Sequence, residues 1–204
     1  MNPLASYLMK SGVLTTDTII HAFKKIDRKD FVPSTYLSEA YGDYPIPIGD
    51  DGQTISQPTT VAIMLELLGA QKGEKVLDVG SGSGFTTAIL ADIVGDTGRV
   101  IGVEIVPQLV TFGQANLRKY HLPHATIQEA MDILGLPSEA PFNRILVSAS
   151  AKELPQPLVN QLNPGGVMVA SVGSEIWRVE KLLQGGVSIK KYSGFAFVPL
   201  IEME

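Results

Sequence analysis

Asp78-Val79-Gly80-Ser81-Gly82-Ser83-Gly84 is the stretch from which the fold can be read. It follows Lys75-Val76-Leu77, an apolar β-forming run, and precedes residues 85–94, whose apolar positions recur at helical spacing. Glycines at a strand-to-helix turn let the backbone approach a ligand closely, and the first N–H groups and positive dipole end of the helix face that ligand. Downstream the two periods keep alternating. Residues 99–104 read as a strand, 107–120 as a helix, 125–128 as a weaker strand, 144–148 as a strand, 155–162 as a helix and 166–172 as a strand. That order predicts an α/β, Rossmann-like fold with a mostly parallel, doubly wound sheet covered on both faces. Residues 176–183 and 187–199 hold no good helix and are joined through Gly185-Gly186, which predicts a C-terminal antiparallel hairpin closing the sheet edge.

Upstream of the turn, residues 15–26 place Ile19, Ile20, Phe23 and Ile26 on one helical face after cap-like Thr and Asp residues. Residues 30–56 change texture: Pro33, Pro45, Pro47, Gly42, Gly49 and Gly52 stand among aromatics in a long connection, of a length that is usually functional when ordered. Pro58 then suits the first turn of a helix through Val61, Met64, Leu65 and Leu68 to a stop at Gly69. The 204 residues fit one domain, with residues 1–57 as a helical and loop cap over the site and 58–204 as the core.

Composition narrows the partners. A net charge of -5 gives no general electrostatic footprint for a polyanion, so nucleic acid is not expected, and Arg118-Lys119 and Lys190-Lys191 read as solvated pairs. The absence of cysteine removes disulfides, thiolate nucleophiles and thiolate-ligated zinc. His121 and His124 flank Pro123 with no carboxylate set beside them, which reads as a surface loop and not a metal site, and His21 falls on the polar side of its helix. Trp177 and Tyr192 are expected to pack the terminal hairpin. Residues 1–12 lack a basic region followed by a long apolar core, and the run 61–68 is broken by Glu66, so a cytoplasmic monomer without a membrane span is expected.

The turn itself discriminates between ligands. A dinucleotide fingerprint needs glycine at position 85, which is Phe85, and a phosphate-binding loop needs a Gly-Lys-Ser/Thr that does not follow. Glu104 ends the next strand where a carboxylate can accept both hydroxyl protons of a ribose diol. Asp78 adds negative charge beside the turn, which suits the ammonium or sulfonium of S-adenosyl-L-methionine better than a phosphate.

A specific resemblance extends over nearly the whole chain. Phe31-Val32-Pro33, Ala40-Tyr41 with Asp43, Pro45 and Pro47-Ile48-Gly49, and Gly52-Gln53-Thr54-Ile55-Ser56-Gln57-Pro58 occur in order before the glycine turn. Ala140-Pro141-Phe142, residues 145–151, Leu162-Asn163-Pro164-Gly165-Gly166, Val172-Gly173 and Phe197-Val198-Pro199-Leu200 follow it. In these features the chain resembles the protein-L-isoaspartate O-methyltransferases. The resemblance implies a Rossmann-like methyltransferase fold and methyl transfer from S-adenosyl-L-methionine to the free carboxylate of L-isoaspartyl residues in damaged proteins or peptides, which starts their repair through a succinimide. It implies a catalytic Ser56 that orients the acceptor, with Ser148, Ala149, Phe197 and Val198 also on the acceptor side. Thr54, Ile55, Asp78, Gly80, Ser81, Gly82, Gly84, Glu104, Met131 and Asp132 are implied around the cofactor. Ser56 has a rival role as part of the N-terminal cap of the helix at Pro58.

The chain departs from the family's pattern in three places. Ala130-Met131-Asp132 stands where the family has Gly-Asp-Gly near the adenine, so the acid is displaced by one position. Asn143 replaces an Asp, and Asp50-Asp51 brings one extra residue before Gly52. Two other functions compete. Residues 83–87 and 98–104 are also similar to tRNA adenine-N1 and precorrin-type methyltransferases, which would mean another acceptor: a dedicated peptide, tRNA or a small molecule. A non-catalytic peptide-binding relative is the second alternative.

Overall fold

The computed structural model describes residues 3–49 and 52–199, so Asp50-Asp51 and Leu200 lie outside the described residues. Helix α1, Pro3–Lys10, buries the short stripe Leu4, Ala5 and Leu8 and was not anticipated from the sequence. Helix α2 spans Asp17–Lys25. The long connection that follows is built from two 3-10 turns, Arg28–Phe31 and Ser34–Glu39, and a small antiparallel pair, β1 (Ile46–Pro47) with β2 (Thr54–Ile55). Helix α3, Pro58–Leu68, starts on its proline and ends at Gly69 in a left-handed conformation, as the residue types dictate.

From there strands and helices alternate: β3 (Lys75–Val79), α4 (Phe85–Val94), β4 (Arg99–Glu104), α5 (Pro107–Arg118), β5 (Ala125–Glu129), β6 (Phe142–Ala151), α6 (Gln156–Asn160) and β7 (Leu162–Val172). The hairpin β8 (Glu175–Lys181) and β9 (Val187–Ser193) completes a seven-stranded sheet of order β5-β4-β3-β6-β7-β8-β9. Neighbours from β5 to β7 are parallel, and β7-β8 and β8-β9 are antiparallel. The last strand stops short of the expected residue 199. Gly194, with φ 100°, turns the chain, and residues 194–199 return to the end of β6, where Ser150 N donates to Val198 O at 2.8 Å.

Side chains alternate across the sheet with period two. Val76, Leu146, Val167 and Val169 face helices α1–α5, whereas Leu77, Val79, Ile145, Val147 and Met168 face a second cluster with Leu136, Leu158 and Val159. This second face is covered by the short α6, by irregular chain and by Trp177, so helical cover is lopsided rather than equal on the two faces. Trp177 and Tyr192 do lie on the hairpin, with Lys191 Nζ 3.8 Å above the indole. His21 is exposed. His124 corrects the surface-loop reading: its ring is mostly buried and Nε2 lies 2.9 Å from Ala91 O, which ties the start of β5 to α4.

Because chain order runs outward from β3 to β5 and then returns to β6, two neighbouring strand ends diverge between β3 and β6. A crevice opens there at the carboxyl ends of the strands. Among the described residues no helix is long and apolar enough to cross a membrane.

Candidate active site

A cavity of about 670 Å³ fills this crevice, within the range of small-molecule sites. Its floor is the turn after β3. Gly80 N and Ser81 N both donate to Val103 O, at 2.9 and 3.2 Å, so the turn is laced to β4, and Gly84 N closes it onto Ser81 O at 2.8 Å. Asn116 Nδ2 donates to Ser83 O at 2.9 Å and fastens the turn to α5. The Ser81 hydroxyl is buried and has no hydrogen-bond partner among the described residues, although Ser81 lines the cavity.

Glu104, at the end of β4, is 6% exposed and also lines the cavity. Its Oε2 accepts from Gly82 N at 2.8 Å and its Oε1 from Val106 N at 3.0 Å. These bonds fix the carboxylate plane and leave each oxygen further lone-pair capacity for a ligand. Beyond it, Ile105, Met131, Ile133 and Leu134 make an apolar wall. That wall is held from behind by Gln161, a residue the sequence did not single out, whose amide accepts from Leu136 N at 2.8 Å and donates to Leu134 O at 2.9 Å. Met131 and Asp132 both lie on the wall and both are exposed, and the displaced acid makes no hydrogen bond to the described protein.

Thr54, Ile55 and Ser56 also line the cavity, together with Ser148 and Ala149 from β6 and Val198 from the returning C-terminal segment. The two roles weighed for Ser56 separate here. The cap of α3 comes from Asp43, whose Oδ1 accepts from Thr59 N at 2.9 Å and whose Oδ2 accepts from Thr59 Oγ1 at 2.7 Å. Burial would raise the Asp43 pKa, but these bonds and those from Tyr7 and Gln57 outweigh it and hold the carboxyl below its usual value. The Ser56 hydroxyl is therefore not spent on capping, and among the described residues it has no hydrogen-bond partner.

Three of the expected site residues do not reach the cavity wall. Asp78 shares the Val76 side of β3, so it points beneath α4, where Thr86 and Thr87 donate to its Oδ2. Gly84 sits one layer back and serves packing: a Cβ there would lie 2.9 Å from Ile127 Cδ1 and 3.2 Å from Gly113 O. Phe197 turns away onto Phe195 and the helical core. Asn143 proves structural, its Oδ1 accepting from Lys75 N at 2.8 Å and pinning the start of β3.

Arg28 was missed by the sequence reading. It is fully buried, and its guanidinium donates to the carbonyls of Ala40 (2.8 Å), Gly42 (3.3 Å), Tyr44 (3.1 Å), Ile55 (3.4 Å) and Ser56 (3.1 Å). One side chain thus satisfies the carbonyls of a Pro- and Gly-rich loop that has few backbone partners of its own. Its short 3-10 turn is wedged against the floor through Phe31, whose ring centroid lies 5.4 Å from that of Phe85.

A parallel sheet of this order, with a glycine turn after its central strand and a buried carboxylate ending the next, defines a Rossmann-like methyltransferase. Residues 1–204 match the family model for protein-L-isoaspartate(D-aspartate) O-methyltransferase, and the chain belongs to that family. A protein-L-isoaspartate O-methyltransferase from Methanopyrus kandleri is 43% identical over 98% of this chain and 91% of that protein. A solved protein-L-isoaspartate O-methyltransferase superposes with a TM-score of 0.87 at 26% identity, over 97% of this chain and 65% of the other. A Plasmodium falciparum structure assigned to the same enzymes, in complex with S-adenosyl-L-homocysteine, superposes with a TM-score of 0.85 at 26% identity, over 99% and 98%.

Proposed function

We propose that this chain methylates the free carboxylate of L-isoaspartyl residues in damaged proteins or peptides, using S-adenosyl-L-methionine. The observation that carries the reading is the unspent Ser56 hydroxyl at a cavity that Ser148 and Ala149 also line and that the glycine turn and Glu104 floor. The residues fit the cofactor. Glu104 offers acceptors to a ribose diol, the apolar wall of Ile105, Met131 and Leu134 suits an adenine, and the glycine turn at Gly80 and Gly82 leaves the backbone open to the amino-acid end.

When bound, the cofactor supplies an electrophilic methyl group on a sulfonium. The acceptor carboxylate is already ionised near neutral pH, so the protein needs no base to remove a proton. Ser56 donates its hydroxyl proton in a hydrogen bond to one carboxylate oxygen and so turns the other toward the methyl. Ser148, Ala149 and Val198 close the far side of the acceptor and exclude water. Rate enhancement then comes from alignment and desolvation rather than from acid–base catalysis. The described part of residues 1–57 acts as a cap within one domain: Arg28 ties the acceptor loop to the turn that Phe31 wedges against Phe85.

The test is incubation of the protein with labelled cofactor and matched isoaspartyl and aspartyl peptides, followed by assay of base-labile methyl ester. Ester on the isoaspartyl peptide alone is expected. Ester on neither peptide, together with tight peptide binding, would replace this reading with a non-catalytic receptor.

A further inference from the structure

The cavity walls pose an electrostatic problem for a negatively charged acceptor. The ionisable side chains on the wall are Glu104, Asp132 and Glu153, and among the described lining residues none is Lys, Arg or His. An anion entering beside these carboxylates is repelled unless positive charge offsets them, and beyond the sulfonium of the bound cofactor that charge has to lie close behind the wall.

Arg28 lies there. Its Nη2 reaches the Ser56 carbonyl at 3.1 Å and that of Ile55 at 3.4 Å, and its Nε is buried with no partner among the described residues. Every one of its hydrogen bonds goes to a neutral carbonyl oxygen, and it takes part in none of the ion pairs among the described residues. Asp43 acts on it only at longer range, with its own oxygens already engaged by Thr59, Tyr7 and Gln57. Burial lowers the guanidinium pKa to about 10, which still leaves it charged at neutral pH. A buried charge without a carboxylate partner is costly to keep. Glu104 stands at the cofactor side of the same cavity and Asp78 lies beneath its floor without reaching the wall, so negative charge gathers on the side away from Arg28.

We propose that Arg28 is the positioning residue that makes the site accept an anion: its guanidinium fixes the Ser56 backbone, and its charge, which no direct ion pair among the described residues takes up, favours an anion on the acceptor side. The proposal rests on the reading that the acceptor carboxylate binds beside Ser56. Lysine would keep the charge but could not satisfy the same fan of carbonyls, which the planar fork of arginine matches.

The test measures binding without turnover, in the presence of S-adenosyl-L-homocysteine. Affinities of an isoaspartyl peptide and of the same peptide carrying isoasparagine, its neutral carboxamide, are compared for the wild type, Arg28→Lys and Arg28→Met. The wild type is expected to prefer the carboxylate by about tenfold or more at short range from a buried charge. That preference should change less than about threefold between about 0.02 and about 0.5 M salt, because a buried charge is poorly screened. Arg28→Lys should retain it. Arg28→Met should bind both peptides within about threefold of each other while holding S-adenosyl-L-homocysteine as the wild type does, an outcome that loop damage alone would not produce.

Retention of the preference in Arg28→Met, its absence in the wild type, or its collapse with salt would each overturn the proposal. The salt series needs no variant, and a collapse of the preference there overturns the proposal even where Arg28→Met fails to fold. Failure of the methyl-transfer reading shows separately, in the ester assay, since the anion preference is read in binding whether or not ester forms.

Discussion

Thr87 Oγ1 donates to Asp78 Oδ2 at 2.7 Å, joining the end of β3 to the first turn of α4 beneath the glycine turn. Thr86 donates to the same oxygen, while Asp78 Oδ1 is buried with no partner among the described residues. Burial pushes the Asp78 carboxyl up to about 6, against the two hydroxyl bonds and with help from Glu104. The sign of the linkage follows. Between about pH 4 and about pH 6 the unfolded chain has released a proton that the folded protein keeps, so stability falls as pH rises through this window and stays lower above it. A shift of roughly two units corresponds to about 3 kcal/mol.

Asp78→Asn removes that titration. Measured by urea unfolding, the stability of the variant relative to the wild type should improve by up to about 3 kcal/mol between about pH 4 and about pH 7.5. Affinity for S-adenosyl-L-methionine should fall by about tenfold, because the charge beneath the turn is lost. A relative stability that does not move with pH would show that Asp78 is not the group held neutral in the fold.

Gly82 and Gly84 should separate binding from packing. Both have positive φ, 51° and 86°. A Cβ on Gly84 meets Ile127 Cδ1 at 2.9 Å and the Gly113 carbonyl at 3.2 Å, whereas one on Gly82 meets only the flexible end of Ile48 at 3.0 Å. Gly84→Ala should therefore cost about 3 kcal/mol or more in unfolding experiments and Gly82→Ala about 1–2 kcal/mol. Cofactor affinity should rank the other way, with Gly82→Ala the weaker binder by calorimetry, since Gly82 lines the cavity and Gly84 does not.

Ser56 and Asp43 test which residue caps α3. Asp43→Ala removes the acceptor for Thr59 N and should cost about 1–2 kcal/mol. Because the Asp43 pKa is held below its usual value, the stability it adds is complete at neutral pH and is lost as pH falls below about 4. Ser56→Ala should change stability by less than about 0.5 kcal/mol yet cut methyl transfer far more than it cuts cofactor affinity. Unchanged turnover in Ser56→Ala would remove the residue from the acceptor site.

The sequence carried the parallel part of the sheet because β3 and β4 are each followed by a helix of ten or more residues, and the two periods cannot be confused over such lengths. It also carried the glycine turn, Glu104 and the acceptor segment at Ser56. What it could not carry was direction in space. Asp78 and Val79 are adjacent in sequence, yet the pleat sends one beneath α4 and the other to the cavity side, so Asp78 reads as a wall residue until the strand's two faces are assigned. Arg28 was hidden for a different reason. Arg28-Lys29-Asp30 looks like a solvated charge run, and only the closure of a loop many residues downstream reveals the carbonyls that bury it. A long connection rich in Pro and Gly does signal that some buried donor is needed, but not which one.

Glu104 supplies the last prediction. Both of its carboxylate oxygens accept backbone N–H groups, from Gly82 on the turn and from Val106 at the start of α5. Glutamine is isosteric but has one oxygen and one NH2, so whichever way the amide is flipped a donor faces a backbone donor. Glu104→Gln should thus lose about 1–3 kcal/mol of stability even without ligand, the cost of a buried N–H left without an acceptor. It should also bind S-adenosyl-L-homocysteine at least about tenfold more weakly, because the surviving oxygen cannot serve the turn and both ribose hydroxyls together. Calorimetry with the cofactor product and urea unfolding of the free protein measure the two effects independently. A Glu104→Gln protein with normal stability and weak binding would place Glu104 on the ligand alone, whereas normal binding would move the ribose elsewhere on the wall.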